Sequence, residues 1–224
     1  GVHSSQEHLH ALCEMAKKKG VKNIFIHVFT DGRDTPPQSA VDYLKELEDL
    51  IDDLGIGFIP EDRHRQALML GSPLWENRIL GHQATPPMIN GIWINKTAAI
   101  TDSERVVREF DVRTPSINVM ASALSGGNQQ KFIVGREMSS NPKLIIAAQP
   151  TRGVDVGAQA IIWDKLMEAR TSGAGVLLVS ADLDELFALS DRIAVIFSGR
   201  IVAVLDPNAT SPEELGLAMT GANK

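Results

Sequence analysis

Apolar positions alternate between helical and strand spacing along most of the chain. Buried strands are predicted at residues 144–147, 176–180 and 193–197. Helices are predicted at residues 158–170 and 182–189. A further helix is predicted through Arg105, Val106 and Phe110, and another is predicted to begin near residues 124–127. Strands that alternate with helices in this way predict an α/β fold with a mostly parallel sheet flanked by helices.

The two ends of the chain add further predicted elements. Near the start, the pattern predicts a helix over residues 5–19, a strand over 24–29, a loop over 31–37 and a helix ending before Gly55. A polar, proline-punctuated stretch follows a short apolar strand at 56–59 and predicts loops and short helices to about residue 96. Near the end, the turn at residues 198–200 predicts a hairpin with residues 201–205.

Composition narrows the class of protein. The 224 residues are 43% hydrophobic and 22% charged, with a net charge of -6, which fits a globular chain with one or two cores and argues against a nucleic-acid partner. The single cysteine, Cys13, has no internal disulfide partner and is interpreted as a buried, unreactive thiol. No apolar run is long enough to span a membrane and no leader pattern is present, so we expect a cytoplasmic location without membrane insertion.

The first candidate site combines His3 with Arg33 and Asp34. The arginine fork can bind a carboxylate or phosphate and the aspartate can orient a hydroxyl, which suits a small phosphorylated acid. A solvated turn with an internal ion pair is the alternative interpretation of such a loop.

The sequence around these residues resembles that of cofactor-independent phosphoglycerate mutase. The resemblance rests on Gly-Val-His-Ser at residues 1–4 and Val-Phe-Thr-Asp-Gly-Arg-Asp-Thr-Pro-Pro at residues 28–37. It implies that His3, Arg33 and Asp34 bind phosphoglycerate, and it covers residues 1–57 as a fragment of the transferase domain. The serine nucleophile and the two-metal site of that family fall outside the resemblance, so no metal site is expected and phosphoryl transfer by this chain would be incomplete.

The second candidate site is a serine followed by two glycines, at the predicted start of a helix. Ser125, Gly126 and Gly127 would place free backbone N–H groups and the positive end of a helix dipole where a phosphate can approach. Ser125 as a simple N-cap is the alternative interpretation.

Residues 58–224 resemble the C-terminal part of a nucleotide-binding domain of an ABC importer, specifically the second cassette of sugar and nucleoside importers. The resemblance rests on Leu-Ser-Gly-Gly-Asn-Gln-Gln at 124–130, the apolar strand at 144–147, Gln-Pro-Thr-Arg-Gly-Val-Asp at 149–155 and Pro-Glu-Asp-Arg-His at 60–64. It implies that Ser125, Gly126, Gly127 and Gln129 bind a nucleotide held by a partner cassette. Asp155 would lie in the D-loop and contact that partner.

Three positions depart from the pattern of that family. Ala148 stands at the position of the Walker B aspartate, Gln149 at that of the catalytic glutamate, and Ala181 at that of the switch histidine. A harmless alanine or exposed glutamine explains each position separately, but three losses together predict a degenerate ATP site. No Gly-x-x-x-x-Gly-Lys-Ser/Thr loop occurs in the sequence, so ATP and Mg are expected only with a partner cassette.

Three hypotheses follow for function. The preferred one is a partial ATP-binding component of a sugar or nucleoside ABC importer, with a second cassette and a membrane permease as partners and a location at the inner face of the cell membrane. The alternatives are a fragment of phosphoglycerate mutase and a chimera without a selected function.

Overall fold

The computed structural model describes residues 55–83 and 86–221. The predicted helices and strand between residues 5 and 54 lie outside the described residues, as does Cys13. The chain forms two compact units, of which the first ends at Leu177 and the second begins at Leu178.

The described elements follow one another as predicted for an α/β chain. The strands are β1 (Ile56–Ile59), β2 (Ile89–Asn90), β3 (Trp93–Ile94), β4 (Leu144–Ala148), β5 (Gly175–Val179), β6 (Ile193–Phe197) and β7 (Arg200–Leu205). The helices are α1 (Arg63–Gln66), α2 (Leu74–Ile79), α3 (Lys96–Glu109), α4 (Gly126–Met138), α5 (Val156–Thr171), α6 (Leu183–Leu189) and α7 (Pro212–Met219), and Ala121–Ala123 form a 3-10 turn. Among the described residues, the strands predicted at 144–147, 176–180 and 193–197 and the helices predicted at 158–170 and 182–189 are confirmed within two residues at their ends.

The first unit contains β1, β4 and the first residues of β5, and the boundary at Leu177 falls within β5; the sheet has the order β1-β4-β5. Strands β1 and β4 run parallel, with Ile56 opposite Leu144 and Ile59 opposite Ala147. β4 is an apolar run that buries most of its side chains, as expected for a strand covered on both faces. The predicted parallel sheet flanked by helices is confirmed.

Helix α4 is the centre of this unit and contacts α1, α3, α5 and β1. Phe132, Ile133 and Val134 are fully buried. Gly135 allows α3 to come close, because a Cβ there would lie 2.6 Å from Val106 Cγ1 and 2.9 Å from Phe110 Cδ2. The middle of α4 is thus fixed by close packing against its neighbours.

The polar stretch after β1 forms the short helices α1 and α2, as predicted, and also the two-residue pairing of β2 with β3, which the sequence did not indicate. Asn77 organises this region from a fully buried position. Its Oδ1 accepts from the Met69 N–H, and its Nδ2 donates to the carbonyls of Met69, Ser72 and Pro73. A buried amide with its polar atoms satisfied holds an irregular loop in one conformation.

The second unit contains the predicted hairpin. β6 and β7 pair antiparallel, with Ile193 opposite Leu205 and a register shift between Val195 and Ile196. Ile193 and Val195 form an apolar cluster with Leu215 and Ala218 of α7. Helix α7 itself was not predicted, although Ser211 and Glu214 form a capping box at its start.

Candidate functional site: the N-terminus of helix α4

The serine and glycines singled out in the sequence form the N-terminus of α4. Ser125 is the N-cap, and its Oγ accepts from the N–H of Asn128 at 3.4 Å. Ser125 is exposed, Gly126 half-buried and Gly127 buried. The first N–H groups of a helix have no intrahelical carbonyl, so this end presents backbone donors and a positive dipole beside an exposed hydroxyl.

The two glycines also leave room for neighbouring side chains of the chain itself. A Cβ at Gly126 would lie 2.7 Å from Nη2 of Arg63, and a Cβ at Gly127 would lie 2.7 Å from Oδ2 of Asp155. The glycines therefore let two charged side chains approach the helix end, independently of any ligand.

Gln129 differs from the other predicted nucleotide contacts because its side chain is buried and is bonded within the chain. Its Oε1 lies 2.9 Å from Nε2 of His64, which donates to it, and its Nε2 donates to the carbonyl of Ala121 at 3.0 Å. The amide thus ties the helix end to the 3-10 turn before it and to helix α1.

Asp155 is an exposed N-cap at the start of α5, and its Oδ1 accepts from the N–H of Ala158 at 2.9 Å. This backbone hydrogen bond, with a smaller contribution from the N–H of Gly157 and the charge of Lys131, holds the pKa of Asp155 below its ordinary value. The starts of α4 and α5 therefore lie side by side, with the Asp155 carboxylate against Gly127.

Two of the three positions that depart from the family pattern lie at the end of β4 and in the loop that follows it. Ala148 ends the strand, and Gln149 has a φ of +49°, an uncommon backbone conformation for a residue other than glycine. The carbonyl of Gln149 accepts from the N–H of Arg152 at 3.0 Å, which closes a turn. The third substituted position, Ala181, is exposed in the second unit, just before Asp182 caps α6.

The loop between β1 and α1 reaches this same region. Nη1 of Arg63 donates to the carbonyl of Arg152 at 3.0 Å, and the Arg152 guanidinium pairs with Glu61. In the sequence, the motif at residues 60–64 indicated only a resemblance to ABC importer cassettes, and these contacts were not predicted. No local signal reveals them, because their partners are 89 and 91 residues apart.

The phosphoglycerate residues predicted from the sequence, His3, Arg33 and Asp34, lie outside the described residues. Among residues 55–83 and 86–221, no group of three or more His, Cys, Asp or Glu side chains is placed to hold a metal ion. In the same part of the chain, no helix combines the length and apolar character needed to cross a bilayer.

Solved structures define the class of fold. The chain is similar to the ATP-binding cassette MJ0796 in a dimeric, post-hydrolysis state bound to ADP and Pi, with a TM-score of 0.59 at 20% identity over 82% of this chain and 72% of that one. A nucleotide-free cassette from an ABC transporter gives a TM-score of 0.57 at 23% identity, over 76% of this chain and 67% of that one. The fold is that of an ABC ATPase cassette.

Curated relatives make the similarity more specific. The chain is 47% identical over 185 residues to the guanosine import ATP-binding protein NupO of Bacillus subtilis and 44% identical over 173 residues to the nucleoside import ATP-binding protein NupA of Lactococcus lactis. These matches cover 80% and 77% of this chain but 36% and 34% of the relatives. The chain therefore spans about a third of the length of the curated relatives it matches.

A different family matches the start of the chain. Residues 1–69 match the family described as BPG-independent PGAM N-terminus, which confirms the resemblance to phosphoglycerate mutase and extends it beyond the predicted residue 57. The match to NupO covers 80% of the chain. The residues outside that match are therefore fewer than the 69 residues that match the mutase family, so part of residues 1–69 lies in both matches. The two similarities thus share residues, and the division into 1–57 and 58–224 stays a prediction.

Proposed function

We propose that the chain is a partial ATP-binding component of an ABC importer for a nucleoside or sugar, and that it presents the N-terminus of α4 to a nucleotide held by a partner cassette. One observation carries this proposal. The exposed Ser125 hydroxyl stands at the start of α4, where Gly127 lies against the carboxylate of Asp155, the residue that caps α5. The names of the relatives support the importer class.

The residues at the two helix starts have different roles in this proposal. Ser125, Gly126 and Gly127 offer a hydroxyl and backbone N–H groups to phosphate oxygens, as helix N-termini do for anions. Asp155 contacts the partner chain across the interface. Gln129 contributes by holding the helix end in place, because both polar atoms of its amide are bonded within the chain.

The chain's own ATP site is proposed to be degenerate. Ala148 offers no oxygen to orient hydrated Mg, Gln149 is a poor acceptor for the proton of an attacking water, and Ala181 offers no donor to a γ-phosphate. ATP with Mg would be held by the phosphate loop of the partner, and a permease would complete the assembly at the inner face of the cell membrane.

The first experiment tests whether the chain acts alone. Calorimetric titration of the purified chain with MgATP is expected to show no binding in the micromolar range. A micromolar binding isotherm would contradict the degenerate site.

The second experiment tests the surface. The chain is mixed with MgATP and a purified cassette that contains an intact phosphate-binding loop, taken from the guanosine import protein of Bacillus subtilis, and complex formation is followed by sedimentation. We expect an ATP-dependent complex that Ser125→Arg abolishes and Ser122→Arg, at an exposed serine of the 3-10 turn, leaves unchanged. Equal effects of the two substitutions would contradict the proposal.

The match of residues 1–69 supports a second candidate, a fragment of phosphoglycerate mutase that uses His3, Arg33 and Asp34 to bind phosphoglycerate. Interconversion of 2- and 3-phosphoglycerate by the purified, manganese-loaded chain would establish this activity. No turnover in a coupled assay, with an authentic mutase as positive control, would leave the importer component or a chimera without a selected function.

A further inference from the structure

We infer that Glu61, Arg63 and His64 are positioning residues that hold the start of α4 against the loop that precedes α5. We call the segment 61–64 the clamp. The inference rests on the proposed function, because it concerns the surface that would face the partner cassette, and it assigns that surface three supporting side chains.

Each clamp residue reaches a different part of the surface. The Glu61 carboxylate pairs with the Arg152 guanidinium, and Arg63 donates to the Arg152 carbonyl. His64 donates to the buried amide of Gln129. One short segment is therefore bonded both to helix α4 and to the loop after β4.

Arg63 is the central member because its guanidinium lies between the two parts. Nη1 is bonded to the carbonyl of Arg152, while Nη2 lies where a Cβ on Gly126 would approach to 2.7 Å. Gly153, with a φ of +67°, also faces this guanidinium, because a Cβ on it would lie 3.9 Å from Nη2. A rigid, planar guanidinium can donate to one backbone segment while it packs against another, which a lysine cannot reproduce.

The clamp is itself anchored on both sides. Asp62 caps α1 by accepting from the N–H groups of His64 and Arg65, and β1 precedes it in the central sheet. Because β1 and β4 are paired, the strand that leads into the clamp and the strand that leads into the Arg152 loop start from a common frame. The clamp can therefore set the distance between the two helix starts.

Hydrogen exchange of the full-length chain tests this inference without a partner. In Arg63→Ala we expect the hydrogen-bonded amides at 128 and 129 in α4, and at 152 and 154 in the loop, to exchange about tenfold faster, because the charged donor to the Arg152 carbonyl is lost. Arg63→Lys should recover only part of the protection. Arg65→Ala, at an exposed position on the same short helix, is the matched control and should leave both segments unchanged.

A reciprocal exchange of charges tests the ion pair. Glu61→Arg and Arg152→Glu should each increase exchange at residues 152 and 154, and the double variant should restore it. Uniform acceleration throughout the first unit in Arg63→Ala would show a general loss of stability and overturn the inference, as would unchanged exchange in both segments.

The partner assay separates this inference from the proposed function. With the Bacillus subtilis cassette and MgATP, Arg63→Ala should weaken the complex about tenfold, with Arg65→Ala unchanged. If the unaltered chain forms no complex, the proposed function fails and the exchange data still decide the clamp. If a complex forms and Arg63→Ala leaves its affinity unchanged, the clamp is overturned and the proposed function stands.

Discussion

The two ends of helix α4 differ in how they are held. The middle and C-terminal part carries fully buried side chains and the close contact of Gly135 with α3, whereas the N-terminus ends in an exposed serine. The middle and C-terminal part is held by packing, whereas the N-terminus is held by the hydrogen bond between His64 of the clamp and Gln129 and by the close approach of Asp155 to Gly127. A single helix can therefore be rigid as a core element and still present backbone groups at its end.

The largest expected effect is at Gly135. Gly135→Ala should lower the free energy of unfolding by about 2 kcal/mol, because the added Cβ would overlap Val106 and Phe110. Gly216→Ala, in α7 with nothing within 4 Å of the new Cβ, is the control and should be neutral or slightly stabilising. Urea unfolding followed by circular dichroism measures both. Equal behaviour of the two variants would contradict close packing at α4.

The next effect is at Arg136, a buried cation on the packed side of α4. Its Nη1 donates to the carbonyls of Ala67 and Asn77, at 2.7 and 3.2 Å. Arg136→Met should cost about 1.5 kcal/mol, because two carbonyls lose a charged donor. Arg108→Met, at an exposed position of α3, should change the urea midpoint little. A similar loss in both variants would remove the special role of Arg136.

A smaller effect is expected at the exposed end. Ser125→Ala should cost about 0.5 kcal/mol in unfolding free energy, at the low end for an N-cap because its hydrogen bond to Asn128 is long. Ser122→Ala, in the preceding turn, is the control. The comparison between the two ends fails if Ser125→Ala destabilises the chain as much as Gly135→Ala does.

The smallest effect concerns pH. The pKa of Asp155 is lowered in the folded chain, so the unfolded state binds its proton more readily as the pH falls. Its contribution to stability is present above the unfolded pKa of about 4 and is lost below it, as the pH falls through the folded pKa. Asp155→Asn should therefore flatten the acid limb of the stability profile, and Asp164→Asn, at another carboxylate of α5, is the control. An acid limb identical to that of the unaltered chain would contradict this role.

Local signals made much of the fold predictable from sequence. β4 is a continuous apolar run, and α4 starts at a serine followed by glycines, so the bounds of β4 and the start of α4 were predicted close to those observed. Helix α7 was missed although its Ser211 cap and Glu214 give a local signal. That error came from overlooking a capping box.

The contacts around the candidate site needed the structure. The sequence identified Ser125 and Asp155 through their resemblance to a family, but nothing in it placed Asp155 against Gly127 or Arg63 against the Arg152 carbonyl. The burial of Lys131 could not be predicted from the sequence either, because the carboxylate that pairs with its ammonium group belongs to Asp111, 20 residues away. Such pairs depend on how distant segments meet, which spacing along one element does not encode.

The start of β1 sets a rule for joining this cassette to other proteins. Gly55 has a φ of +66°, and a Cβ at Gly57 would lie 3.0 Å from the carbonyl of Glu137 and 3.2 Å from Pro142 Cγ. A segment spliced ahead of Phe58 is therefore best served by a glycine at the second strand position, where any Cβ forces its neighbours to shift, and by a second glycine at the preceding turn. In a library of exchanged N-terminal segments, we expect glycine to be enriched at these two positions among the variants that fold.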